Sequence, residues 1–215
     1  MTRCWTILFL LITASSLKAQ RTGMPGKGMP AGYAFRFNIL GLADIMDGNL
    51  SLGMERRLGS RLSVTTDLSM VFYSVYLPQI RSTMGYIIKP AIRYYTTTKR
   101  RTFVEAAFFY KRVGYKKADW LGKDCVNDVP AYEEFQRFVF RKQVTGVNIQ
   151  AGIQRDLTKN KLLGIEMYAG IGIRFKWQDI RNDPMACYQV LNQPNRMPYI
   201  APGIPHGLRF IYRIL

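Results

Sequence analysis

Apolar and polar residues alternate one by one along several stretches of this chain, most clearly from Asn49 to Tyr73. The even positions are Leu50, Leu52, Met54, Arg56 and Leu58, then Leu62, Val64, Thr66, Leu68, Met70 and Phe72. The odd positions are mostly small or charged: Asn49, Ser51, Gly53, Glu55, Arg57, then Ser63, Thr65, Asp67 and Ser69. Successive side chains on a strand point to opposite faces, so this period of two predicts two strands, each with one apolar face. Only Gly59, Ser60 and Arg61 separate them, which predicts an antiparallel hairpin. Each arm is about ten residues, the length at which a tilted strand spans a bilayer.

The same period predicts eight strands in all. Strand one alternates Tyr33, Phe35, Phe37 and Ile39 with Arg36 and Asn38, and the hairpin supplies strands two and three. After a break at Leu77 to Thr83, strand four covers Met84 to Tyr95. Pro90 sits inside it and donates no ladder hydrogen bond, an awkward fit for which a bulge would be one answer. Strand five runs from Thr102 to Tyr115, and Lys116 to Gln136 reads as a long loop. Strand six is plainest over Val147 to Gln154 and strand seven over Leu163 to Lys176. A second long loop, Gln178 to Pro205, holds five of the ten prolines, and Gly207 to Leu215 is the last strand.

Links after strands two, four and six are short and the others longer, as in outer-membrane barrels with short inner turns and long outer loops. The expected fold is all-β, an eight-stranded antiparallel up-and-down transmembrane β-barrel. A soluble sandwich or lipocalin-like barrel would show the same alternation with its faces reversed. Three features favour the membrane. Gly53, Gly85, Gly152, Gly170 and Gly172 fall on the polar face, as a narrow interior requires. Tyr33, Phe72, Tyr94, Phe138, Trp177 and Tyr212 fall near strand ends, where interfacial girdles lie. The chain also closes on a strand, with Gly207, Phe210 and Tyr212 resembling the terminal signal read by the barrel-insertion machinery.

Upstream of the strands, Arg3, the apolar run Trp5 to Ile12 and the small-residue exit Ala14 to Ala19 read as a cleaved signal peptide over residues 1–19. The expected location is therefore the outer membrane. Residues 20–32, rich in Gly and Pro, read as a flexible leader, and 33–215 as the barrel. The formal charge of +17 is spread along the strands, with no nucleic-acid-binding signature. Anionic lipid head groups or a polyanionic surface sugar suit that charge better than nucleic acid.

The run Asn38-Ile39-Leu40-Gly41-Leu42-Ala43-Asp44, followed by Asn49 to Glu55 and Arg57-Leu58, resembles a family of uncharacterised outer-membrane β-barrels from the Bacteroidota. The likeness covers about residues 34 to 75 and implies no catalytic residues. More distantly, the layout resembles the eight-stranded OmpA and OmpX type of barrel.

With the apolar face toward lipid, the lumen receives Arg36, Asn38, Glu55, Arg57, Asp67, Lys89, Arg93 and Glu105, together with Lys111, Glu166, Arg174, Lys176, Arg209 and Arg213. Eight strands leave a space that side chains fill, so a plug of paired acids and arginines is expected rather than a pore. The surplus of bases leaves an anion site or narrow channel as the contrasting reading. Cys125 and Cys187 fall on the third and fourth outer loops and read as a disulfide, with two unpaired thiols as the alternative. They carry no metal-ligand spacing, and no metal or cofactor is expected. Trp120, Tyr132 and Tyr188 are candidates for external recognition of a protein or glycan, with loop packing or anchoring at the membrane interface as the alternative. The function expected is structural or surface interaction. The enzymatic alternative is a lipid-modifying rim hydrolase built on His206 with Ser74 or Ser82 and Glu133 or Glu134, which no motif ties together. A soluble periplasmic ligand-binding barrel is the third reading.

Overall fold

The computed structural model describes residues 32–38, 40–43, 47–75, 80–97, 101–127, 129–181, 186–187 and 199–214. The expected signal peptide, and the leader up to residue 31, lie outside the described residues. The strands are β1 (Tyr33–Asn38), β2 (Gly48–Arg57), β3 (Leu62–Tyr73), β4 (Ile80–Tyr95), β5 (Thr102–Lys123), β6 (Tyr132–Asp156), β7 (Leu163–Ile180), β8 (Tyr199–Gly203) and β9 (His206–Ile214). Leu40–Ala43 forms a turn of 3-10 helix after β1. Each strand from β1 to β7 pairs antiparallel with the next; β7 then pairs with β9, and β9 with β1. The sheet thus closes as a ring of eight.

β8 and β9 occupy one place in that ring. β8 pairs Gly203 with Gly172, and β9 pairs His206 with Ala169, so the register along β7 is the same on both sides of the gap. Ile204 and Pro205 make the gap, and Pro205 has no N–H to give the ladder. Part of the stretch expected to be loop is therefore the outer continuation of the last strand.

The faces follow the parity of the sequence. Leu52, Met84, Ile92, Ile149 and Ile171 are all more than half exposed on the outer wall. Arg36, Arg93, Glu105, Glu166 and Arg209 point inward and are at most 1 % exposed. On β3 the apolar outer positions run from Leu62 to Phe72. Ten steps of about 3.3 Å at a tilt of about 40° give a band roughly 25 Å tall. Gly53 shows why glycine sits on the inner face: a Cβ there would run into the Asp67 carboxylate.

Three expectations are corrected. Lys116 to Gln136 is not a loop: β5 and β6 continue as a ladder to Lys123↔Tyr132, six residues past the last β4 pair at Ile80↔Lys117. This flap rises about 20 Å above the end of β4. Pro90 causes no bulge. Ile88↔Tyr110 and Ala91↔Ala107 keep one register on β5, and Pro90 itself stays opposite Thr66 on β3; the ladder omits two pairs instead. Phe138 does not belong to a girdle. It lies on the inner face of the flap, buried with Val113, Tyr115, Leu121, Phe140, Val144 and Ile180. The interior thus has an apolar upper layer above its charged middle, where a polar lumen throughout was expected.

Candidate functional site

The charged middle layer is built by parity from strands all round the ring. Arg93 on β4 donates to Glu105 from Nε and Nη2, at 2.7 and 2.5 Å, and to Glu166 from Nη1 and Nη2, at 2.6 and 2.9 Å. Its Nη1 also lies 3.4 Å from Glu55. Arg36 on β1 reaches Asp67 at 3.3 Å and Glu105 at 3.5 Å. Arg209 on β9 reaches Glu166 at 2.7 Å and Asp67 at 3.2 Å. The Tyr95 hydroxyl donates to Glu55, and the Gln150 amide to Glu105. Arg93 lies 3.8 Å above the Phe103 ring and Arg209 3.8 Å above that of Tyr168, so aromatic faces cover what the carboxylates leave.

Charge balances in this layer. Glu55, Asp67, Glu105 and Glu166 supply four negative charges; Arg36, Arg93 and Arg209 supply three positive, and Lys89 stands opposite Asp67 in the β3–β4 register as the fourth. The excess of bases read from the sequence lies elsewhere. Chemically, the layer is a neutral polar plug held by one bidentate guanidinium–carboxylate pair, Arg93–Glu166, and by arginines that each bridge several acids.

The other inward bases are dispersed above and below it. Arg213 sits at the inner end, 2.7 Å from Asp156 and 2.6 Å from the Lys161 carbonyl. Arg57 is buried at the same end of β2. Arg174 packs over the Phe109 ring at 5.1 Å. Lys111 meets a partner that strand periodicity could not reveal, because Asp47 comes from the first loop. The Asp47 carboxylate is 2.5 Å from Lys111, 4.0 Å from Lys142 and 2.9 Å from the Tyr115 hydroxyl, and 2 % exposed. Burial by itself raises the Asp47 pKa, but Lys111 and Lys142 outweigh it and hold the carboxyl below the usual range.

At the outer end, Cys125 and Cys187 form a disulfide. Cys187 also exchanges both backbone hydrogen bonds with Gly122 on the flap, so the segment after β7 is stitched to the tip of the β5–β6 hairpin. Trp120 and Tyr132 lie on flap strands rather than in a loop and are more than half exposed; Trp120 packs edge-on against Phe135 at 5.7 Å. Tyr188 lies outside the described residues. His206 is exposed, its Nδ1 3.1 Å from the Ile204 carbonyl. Ser74 follows β3 and Ser82 lies in β4, three and four places round the ring from His206. The structure does not bring these groups together. Compared with family models, curated proteins and solved structures, the chain matches none.

Proposed function

We propose that this chain is an integral outer-membrane β-barrel with a filled lumen, acting in the envelope through its outer flap. One observation carries the reading: the outward face inverts from apolar to basic part-way up the two longest strands. On the lower part of β5, Val104 and Phe108 face out while Glu105 faces in among Phe103, Ala107 and Phe109; higher up, Arg112 and Lys116 face out below Trp120, while Val113, Tyr115 and Leu121 face in. β6 does the same, with Ile153, Ile149 and Val147 outside Gln154, Gln150 and Asn148 below, and Arg141 and Arg137 outside Val144, Phe140 and Phe138 above. A sheet surrounded by water along its whole length has no reason to invert. A sheet that leaves hydrocarbon for water does. The inversion supports a bilayer boundary at that height and disfavours the soluble barrel.

Outward-facing tyrosines support the lower boundary, with Tyr33, Tyr94 and Tyr212 near the inner strand ends. Arg112, Lys116, Arg137 and Arg141 form a basic column up the outward face of β5 and β6 from the inversion, which begins at the height where anionic head groups would meet the wall. The role is then to anchor the flap in the outer leaflet and present it to the surface, in keeping with the outer-membrane barrels that the first hairpin resembles. Cell fractionation with boiled and unboiled gel samples tests it. The expected result is an outer-membrane band that migrates differently when unboiled; a soluble, non-shifting protein overturns the reading.

A further inference from the structure

The β6 edge of the flap is open. Pairing of β6 with β7 stops at Phe140↔Ile180, and the Arg181 N–H then donates to the Val139 carbonyl at 2.9 Å. From Tyr132 to Phe138, β6 pairs only with β5 among the described residues. Gly122 stands opposite Glu133 and gives both its backbone bonds to Cys187, so in this row the two strands turn their N–H and C=O groups away from each other. Phe135 and Arg137 share the parity of Glu133. The N–H and C=O groups of all three therefore point out along the open edge, and such a row is a template for another strand.

We infer that this edge pairs with the same edge of a second copy of the chain, antiparallel about a twofold axis through Phe135. Phe135 is the midpoint of the open stretch, so pairing about it fills Tyr132 to Phe138 on both copies and stops short of Arg181. The outward row Glu133, Phe135, Arg137 is also complementary to itself when reversed: Phe135 meets Phe135, and each Glu133 meets Arg137 of the other copy. Both charges are exposed, and neither has an ion-pair partner among the described residues. Moving the axis to Glu133 or to Arg137 would set that charge against itself. On the same face Trp120 packs against Phe135 at 5.7 Å, so pairing lines up four aromatic rings, two from each copy. On the other face Tyr132 falls opposite Phe138 and Glu134 opposite Gln136, with no like charges in register. The contact is isologous and closes at two copies. The two barrels lie at opposite ends of the joined flaps. In membranes the pair would then link facing bilayers, a consequence that rests on the function proposed above; the pairing itself does not require insertion.

The test is sedimentation equilibrium of the refolded full chain in density-matched neutral detergent. The parent should show a reversible monomer–dimer equilibrium that salt weakens. E133R and R137E each set like charges opposite one another twice across the axis, and each should self-associate about tenfold more weakly or worse. An equimolar mixture of the two variants should regain dimers, because each supplies the charge that the other lacks. F135C places its substituted position on the axis, at a Cα separation of roughly 5.5 Å from its counterpart, and should cross-link under mild oxidation. Q143C, on the outward face of β6 below the open edge, should not. The shift in migration on boiling checks that every variant is folded. Phosphatidylcholine vesicles carrying the parent should cluster, and those carrying E133R should cluster only with those carrying R137E. A parent that stays monomeric at all concentrations, single variants that dimerise as the parent does, or equal cross-linking of Q143C overturns the inference. Dimers in detergent without clustering of vesicles overturn the link between facing bilayers alone. Fractionation reads membrane insertion separately.

Discussion

The Arg93 guanidinium and the Glu166 carboxylate meet as a two-pronged pair, Nη1 2.6 Å from Oε2 and Nη2 2.9 Å from Oε1. One side chain comes from β4 and the other from β7, so the contact ties two walls three places apart in the ring. Both groups are fully buried. Neither is reachable by water that could replace a missing partner.

Removing one member should therefore cost far more than a surface pair is worth. Arg93→Met leaves Glu105 and Glu166 without their closest cation and should lower barrel stability by about 3–5 kcal/mol. Glu166→Gln keeps the shape and part of the hydrogen bonding, so a smaller loss is expected. Arg93→Met with Glu166→Leu should recover part of the single-variant loss, because the uncompensated charge goes with its partner. Urea titration of the refolded protein, read by migration on unboiled gels, measures all three.

Asp47 gives the pH dependence. Its folded pKa is lowered by Lys111 and Lys142, with a hydrogen bond from Ser74 adding to the effect. A carboxyl held below its unfolded pKa of about 3.9 stabilises the fold fully above that pH and loses its contribution as pH falls through the lower folded value. Asp47→Asn removes this contribution at every pH. The difference between parent and variant stabilities should be constant at neutral pH and shrink as the medium is acidified below about pH 4. Denaturant titrations of both proteins between neutral and acidic pH check it; a difference that grows on acidification contradicts the assigned direction.

Parity alone made the charged layer legible. Arg36, Glu55, Asp67, Arg93, Glu105, Glu166 and Arg209 all sit on the polar side of period-two stretches, and they converge in the structure. The flap was not legible, for the reason that supports a bilayer boundary. Across Tyr110 to Lys116 the outward face passes from apolar to basic residues, so a strand that continues through the change reads as the end of a pattern. Lys116 to Gln136 then resembles a loop. Asp47 was hidden for a different reason. A carboxylate delivered by a loop into a barrel leaves no periodic trace, and only its contacts with Lys111 and Tyr115 reveal it. Pro90 misled through a local rule: a missing donor can be absorbed by two omitted pairs without any change of register.

The Cys125–Cys187 disulfide joins the flap tip to a segment 62 residues along the chain, which also pairs with Gly122 through its backbone. Reduction should loosen this outer end and leave the ring intact, because the ring is held by its own ladders and the charged layer. Cys125→Ser with Cys187→Ser should lower stability by about 2–4 kcal/mol at most. Flap proteolysis should accelerate well before the gel shift on boiling is lost. Thiol labelling should modify neither cysteine until a reductant is added. Labelling of the untreated protein would show that the pair does not form.

Ile171 separates lipid from water as the surroundings of the outer wall. It is 74 % exposed on β7, in the middle of an apolar row that runs from Leu163 to Trp177. If water surrounds it, Ile171→Lys trades one exposed side chain for another and should change stability by no more than about 0.5 kcal/mol. If hydrocarbon surrounds it, the ammonium group must be buried in lipid or reach for the interface, at a cost of about 2–4 kcal/mol near the midplane. The control is Gln143→Lys, on the outward face of β6 just above the inversion, where water is expected and the change should be small. Both variants are folded into phosphatidylcholine vesicles and titrated with urea. A large loss for Ile171→Lys beside a small one for Gln143→Lys is the expected pattern. Equal, small effects would mean that the apolar wall is not lipid-facing, and the inversion along β5 and β6 would then need a protein covering the lower wall instead.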